Sequence, residues 1–177
     1  MSSRATRLYT TLDSPLGELL LLGDGRVLHG LYMQHGRRPI EIGPAWERAV
    51  APFAEVAGQL REYFAGERTQ FELPLALEGS SFERRVWSAL QRIPYGETIS
   101  YGELARGIGQ PAAARTVGLA NGRNPIAVIV PCHRVIGADG TLTGYGGGLE
   151  RKRILLELES GQGRLRPESG RSPASCS

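Results

Sequence analysis

The stretch that decides the fold is Ser100-Tyr101-Gly102-Glu103-Leu104-Ala105-Arg106-Gly107-Ile108-Gly109-Gln110-Pro111-Ala112-Ala113-Ala114-Arg115-Thr116-Val117-Gly118-Leu119-Ala120. Ser100 and Glu103 have the Ser-x-x-Glu spacing of a capping box, so a helix starts here. Leu104 and Ile108 lie one turn apart on its inner face, and Gly109 ends it. Pro111 sits where proline is tolerated, in the first turn of a further helix predicted to run to about Ala120. Two short helices joined by a glycine-containing turn make a helix-turn-helix pattern. The second of them is built of small side chains with one long charged one, Arg115. A small-faced helix can bring its backbone close to a nucleic acid, with Arg115 reaching into the duplex. The competing reading is that alanine simply favours helix and Arg115 is a solvated charge.

On either side the chain stays ordered. Upstream, Ser80 and Glu83 form another capping box, and Phe82, Val86, Leu90 and Ile93 mark one face of a helix with Trp87 beside them. Pro94-Tyr95-Gly96 stops that helix. Downstream, Asn121-Gly122-Arg123-Asn124-Pro125 is a dense turn signal. It leads into the apolar run Ile126 to Val130 and then Pro131-Cys132-His133-Arg134. A thiol beside an imidazole is a candidate nucleophile and base. The alternative is a small buried hydrophobe, the usual state of a free cysteine. Val135-Ile136 reads as a short strand, Gly144-Tyr145-Gly146-Gly147-Gly148 as a loop able to approach a ligand closely, and Glu150 to Glu159 as a closing helix.

Residues 1–79 read as a small α+β unit. Thr6–Thr11, Glu18–Leu22 and Arg26–Met33 form a β-meander, with a tight hairpin at Gly23-Asp24-Gly25. Pro44 opens a short helix. Pro52 opens a longer one, whose stripe Phe53, Val56, Leu60, Tyr63 and Phe64 faces the core. Thr69–Leu75 reads as a fourth strand. No catalytic constellation is evident in this half, and His29 and His35 read as structural or surface residues.

Composition narrows the function classes. The 177 residues are 41% hydrophobic and 22% charged, which supports a real core and argues against global disorder. No apolar run approaches membrane-spanning length and no signal core opens the chain, so a cytoplasmic protein is expected. The cysteines are Cys132 and Cys176, without CxxC or zinc-finger spacing, so no metal is expected. Cys176 falls in the segment 161–177, rich in Gly, Ser, Pro and Arg, which reads as a disordered tail. The net charge of +3 is unevenly spread: residues 1–79 carry 8 Arg against 10 Asp and Glu, whereas residues 80–160 carry 10 Lys and Arg against 7 Asp and Glu. The basic excess therefore lies in the half that holds Cys132, a weak pointer to a polyanion partner.

Taken together, these motifs resemble the O6-alkylguanine-DNA alkyltransferases (methylated-DNA–protein-cysteine methyltransferases). The resemblance rests on Pro131-Cys132-His133-Arg134-Val135-Ile136, on Pro94 to Thr98 with Ser100-Tyr101, on Ala114 to Gly118, on Asn121 to Pro125, and on Tyr145 to Leu149 with the closing helix to Glu159. It is strong from Ser80 to Glu159 and weaker before. It implies an α+β protein: a ribonuclease-H-like domain over 1–79 and a winged-helix domain over 80–160. The implied activity is direct-reversal DNA repair, a single irreversible transfer of the alkyl group from O6-alkylguanine, with O4-alkylthymine left open, to Cys132. No cofactor is implied. The partner is double-stranded DNA, and the protein is expected to be a monomer, with cooperative assembly on DNA left open.

The resemblance also implies roles. Cys132 accepts the alkyl group, His133 acts through a bridging water as its base, and Glu159 orients His133. Tyr101 contacts the extruded base and phosphate and is a proton donor to the leaving base. Val135, Tyr145 and Gly146 line the base pocket, Asn124 braces the turn leading to Cys132, and Lys152 matches a family lysine. Arg115 fills the stack left by the flipped nucleotide, and Ala113, Ala114, Thr116, Gly118 and Arg123 face DNA. The first domain has no cysteine, so the zinc site of some relatives is not carried over. Two rivals remain: a Cys-His hydrolase, and a winged-helix protein that binds alkylated DNA without repairing it.

Overall fold

The computed structural model describes residues 7–34 and 40–161. His35, Cys176 and the expected tail from residue 162 onward lie outside the described residues.

The first half is built on the expected meander. β1 (Leu8–Ser14), β2 (Gly17–Gly23) and β3 (Leu28–Met33) pair antiparallel in sequence, and β4 (Glu47–Arg48) adds in parallel to β1, giving the order β3-β2-β1-β4. Leu19, Leu20, Leu21 and Leu22 are all buried, which a central strand covered on both faces requires. Pro44 makes a turn rather than a helix, because the chain enters β4 only three residues later. A 3-10 turn over Ala51–Phe53 with Pro52 at its start leads into α1 (Ala54–Phe64), which buries Val56, Leu60, Tyr63 and Phe64 as the stripe predicted.

The expected fourth strand at Thr69–Leu75 does not form. Only Leu75 bridges the sheet, where Leu28 N donates to the Pro74 carbonyl and Ala76 N to the Leu28 carbonyl. Pro74 has no N–H for a ladder and confines the segment to one touch on the β3 edge.

In the second half, α2 (Ser81–Leu90) starts on a complete Ser80/Glu83 capping box. The Ser100 hydroxyl accepts from Glu103 N and starts α3 (Tyr101–Gly107), directly after β5 (Ile99–Ser100). α4 (Ala114–Gly122) begins three residues later than Pro111 suggests, since Gln110 to Ala113 close a turn through the Ala113 N to Gln110 O bond. α2, α3 and α4 pack on one another around Val86, Leu90, Leu104, Ala105 and Val117. β6 (Val135–Ile136) pairs in parallel with β5, and α5 (Leu149–Glu159) closes the chain. The result is an α+β protein whose second half carries the expected helix-turn-helix, α3 and α4.

One hydrophobic core runs through both halves, and the apolar run before Cys132 is where they meet. Leu31 N donates to the Pro125 carbonyl and Ala127 N to the Leu31 carbonyl, so Ile126 extends the β3 edge by one bridge.

Candidate active site

The chain delivers Cys132 by two successive tight turns. Ile129 N bonds to the Ala127 carbonyl across Val128, whose φ of 70° is the only positive value at a non-glycine among the described residues. A β-branched residue there is strained, at a cost on the order of 1–3 kcal/mol. Cys132 N then bonds to the Val130 carbonyl across Pro131, at φ −82° and ψ 63°. Asn124 holds this path from outside: its Nδ2 donates to the Val130 carbonyl at 2.7 Å and its Oδ1 accepts from Ile126 N at 3.0 Å. Asn121 Nδ2 reaches the Cys132 carbonyl at 3.4 Å.

Cys132 opens a 3-10 turn, Cys132–Arg134, all three of whose side chains are buried. It borders a cavity of about 220 Å³. One wall is Leu31, Tyr32 and Met33 of β3; the others come from Asn121 to Asn124, Ala127 and the glycine loop Gly144 to Gly147. Gly147 packs directly against the Met33 side chain, so a Cβ there would force that thioether to move. Burial pushes the Cys132 thiol up, while a hydrogen bond to Asn124 and the Lys152 charge pull it down. The Tyr145 hydroxyl is buried without a partner among the described residues, and burial and the nearby thiol raise it well above the ordinary tyrosine range.

Behind the thiol lies a buried ionic cluster. His133 Nε2 is 2.7 Å from Glu159 Oε2, and Arg134 grips the same carboxylate twice, Nε to Oε1 at 2.7 Å and Nη2 to Oε2 at 2.9 Å. Burial alone would raise Glu159, but the bonds and charges of His133 and Arg134 outweigh it and hold the carboxyl at about 2. Burial lowers His133, against the pull of Glu159. A charged carboxylate can only accept, so Nε2 carries the proton and Nδ1 is left as an acceptor. Nδ1 is buried and has no partner among the described residues.

The other expected residues fall into three places. Tyr145, Gly146, Asn124 and Arg123 line the cavity with Cys132. Val135 and Lys152 stand behind it: Lys152 Nζ donates to the Val135 carbonyl at 2.6 Å and to the Thr143 carbonyl at 2.7 Å, tying the strand after Cys132 to the glycine loop. Lys152 is lowered to about 8 by burial, against the thiol, which raises it. Tyr101 lies to one side, its hydroxyl 3.2 Å from the Thr143 carbonyl and its ring against Gly118. The remaining group is the start of α4, where Ala113 and Ala114 are half-buried and Arg115 and Thr116 exposed. Arg123, just past α4, is 3.9 Å from Glu83.

Sequence reasoning missed three participants. Arg134 gave no signal beyond its place in the motif, since a buried arginine is recognised only by its partners. Asn121 was read as turn material. Tyr63 was read as core, and its ring is, but its hydroxyl donates to Glu159 Oε2 at 2.6 Å. The first half therefore reaches the buried cluster around Glu159, through a residue of the core-facing stripe to which the sequence assigns no function.

A thiol held behind a helix-turn-helix, with an imidazole and a carboxylate in its support, defines a cysteine-dependent transferase on a nucleic-acid-binding scaffold. Known proteins make this specific. The ribonuclease-like domain of 6-O-methylguanine DNA methyltransferase matches residues 7–77, and the DNA binding domain of the same family matches residues 81–161. Over 152 residues the chain is 59% identical to a methylated-DNA–protein-cysteine methyltransferase of Mycolicibacterium paratuberculosis, covering 85% of this chain and 91% of that one. A protein of the same name from Methanosarcina acetivorans is 52% identical over 151 residues, covering 85% of this chain and 97% of that one. The crystal structure of Mycobacterium tuberculosis OGT in complex with DNA superposes with a TM-score of 0.84 at 55% identity, over 89% of this chain and 96% of that one. The chain belongs to the 6-O-methylguanine DNA methyltransferase family.

Proposed function

We propose that the protein repairs DNA by direct reversal, moving the alkyl group of O6-alkylguanine irreversibly to Cys132. The observation that carries this reading is the thiol at the cavity wall with a neutral imidazole behind it, whose Nδ1 is free to accept a proton. Cys132 gives its proton to His133 Nδ1 through a bridging water, while the Glu159 carboxylate steadies the imidazolium through Nε2. The sulfur forms a bond to the alkyl carbon, the O6–carbon bond breaks, and its electron pair returns to the guanine ring. The leaving guanine takes a proton, and the Tyr101 hydroxyl is the donor assigned to it. The product is a thioether that water does not cleave, so each chain acts once and needs no cofactor.

The target atom is out of reach in a stacked duplex, so the nucleotide is flipped out, at a cost of a few kcal/mol. The small-faced start of α4 lies along the groove, Arg115 replaces the lost stacking, and phosphate contacts supply most of the affinity. Val135 and Lys152 support the pocket from behind. The protein works as a monomer in the cytoplasm; among the described residues no helix is long and apolar enough to cross a membrane.

The test is intact-mass measurement after mixing with a duplex bearing one O6-methylguanine. One methylene unit should appear on Cys132 and none with Cys132→Ala, while Cys176→Ala should react normally. Repeated turnover would favour a hydrolase. An unchanged mass with the duplex still bound would favour a lesion-binding protein.

A further inference from the structure

The Glu159 carboxylate is shared more widely than a His–Glu pair needs. Its Oε2 accepts from three donors: the Tyr63 hydroxyl at 2.6 Å, His133 Nε2 at 2.7 Å and Arg134 Nη2 at 2.9 Å. Two of these come from the same short turn. Tyr63 comes from α1 in the first half, 96 residues away in sequence. Its side chain is completely buried and its ring is clamped edge-on by Phe64 and Tyr95, with Phe71 beside them. A ring held that tightly aims its hydroxyl at one place. Burial and the adjacent Glu159 charge push the phenol well above its ordinary range, so it stays a neutral donor.

We propose that Tyr63 is a positioning residue of the alkyl-transfer site, through which the first domain controls how strongly Glu159 holds the proton of His133. The inference rests on the Glu159–His133–Cys132 relay described above. An oxygen that accepts several hydrogen bonds offers less charge to each of them. Tyr63 thus weakens the pull of Glu159 on His133 and keeps the imidazole neutral and able to take a proton, alongside the effect of burial. Arg134 acts in the same sense through its charge, and its Nη1 is anchored on the Ile93 carbonyl at 2.6 Å. The other ionisable groups acting on this cluster are Tyr95, Cys132, Tyr145 and Lys152. The Tyr95 hydroxyl donates to the Leu158 carbonyl at 3.4 Å, and the Tyr63 hydroxyl donates directly to the Glu159 carboxylate. The arrangement gives the ribonuclease-like half a part in the chemistry beyond packing.

Tyr63→Phe removes the hydroxyl and keeps the ring. The readout is the rate at which full-length protein transfers the benzyl group of free O6-benzylguanine to Cys132, followed by intact mass across pH. The acid limb of that profile reports protonation of His133. With the donor gone, Glu159 pulls harder, His133 becomes more basic, and the midpoint of the limb should move up by roughly half a pH unit. Site-specific 3-fluorotyrosine at position 63, a stronger donor of almost the same shape, should move it down. In a Glu159→Gln background, Tyr63→Phe should leave the midpoint where it is. A midpoint unmoved by either change at position 63 overturns the proposal, and if Tyr63→Phe fails to fold, the fluorotyrosine shift alone decides. Loss of the relay itself reads differently, as a profile that Glu159→Gln does not alter.

Discussion

The buried cluster around Glu159 and the exposed start of α4 meet opposite physical demands. In the cluster every charge is matched: Glu159 meets Tyr63, His133 and Arg134, and Arg134 also sits 5.8 Å from the Tyr95 ring centre. On α4 the side chains are small, and Arg115 has no hydrogen-bond or ion-pair partner among the described residues. A buried charge must be satisfied within the protein, because water cannot reach it. A surface meant for a polyanion is left unsatisfied, so that its charge meets the ligand. Changes in the cluster should therefore cost stability, and changes on the helix should leave stability intact and register only when DNA is engaged.

The largest effect on stability should come from Arg134→Leu. It strips Glu159 of both guanidinium bonds and leaves a buried carboxylate with two donors. Breaking a buried pair from one side typically costs about 3–5 kcal/mol. For a protein of this size, that is a fall of roughly 10 °C in the unfolding midpoint, measurable by calorimetry. A fall of only a degree or two would mean that the cluster is wetter than its burial implies.

Acid should attack the same place. Glu159 is held at about 2 against an ordinary 4.5, so its contribution is complete above pH 4.5 and is lost as pH falls towards 2. Its full size is on the order of 3 kcal/mol. His133 adds to the loss earlier: its folded value is below the ordinary 6.5, so below that pH the unfolded chain takes up the proton more readily. Urea midpoints should decline gently below pH 6.5 and steeply below pH 4.5. In Glu159→Gln the decline below pH 4.5 should be shallower, with what remains coming from other lowered carboxylates such as Asp24.

Asn124→Ala lies between the two regions. It removes the bond to the Val130 carbonyl and the acceptor for Ile126 N, so the strained turn at Val128 loses its outside brace. Loss of these part-buried bonds should cost about 1–3 kcal/mol. It should also raise the Cys132 thiol, because Asn124 helps to pull it down. Slower alkylation by iodoacetamide at neutral pH, at a temperature well below unfolding, would check the second effect.

The same contrast explains what the sequence made legible. The helices were readable because capping at Ser80 and Ser100 and the apolar faces of α2 and α3 are local signals. The first three strands were readable for a similar reason, since their turns are written in Gly, Asp and Pro. The expected strand at Thr69–Leu75 does not form and α4 starts later than expected, because alternation and a first-turn proline are only propensities, which Pro74 and the Gln110–Ala113 turn override. The small face of α4 and the Pro-Cys-His-Arg motif were visible as composition and as family resemblance. The positions of Tyr63 and Arg134 were not, because their partners lie 96 and 25 residues away and nothing local distinguishes a core tyrosine from one whose hydroxyl is in use. The strained Val128 was equally hidden inside what reads as a plain apolar run.

Arg115→Ala should have the smallest effect on the fold and tests the other half of the comparison. The side chain is exposed and unpartnered in the free protein, so stability should change by less than about 0.5 kcal/mol. Replacing arginine with alanine, the best helix former, should not harm α4. Repair is a different matter. Transfer from free O6-benzylguanine needs no flipped nucleotide and should proceed at the wild-type rate. Transfer from duplex O6-methylguanine should slow by tenfold or more, if Arg115 offsets even about 1.4 kcal/mol of the unstacking cost. Equal rates on both substrates would mean that Arg115 is merely a solvated charge. Equal losses on both would place its effect in the thiol site, and the separation between matched cluster and open helix would then fail.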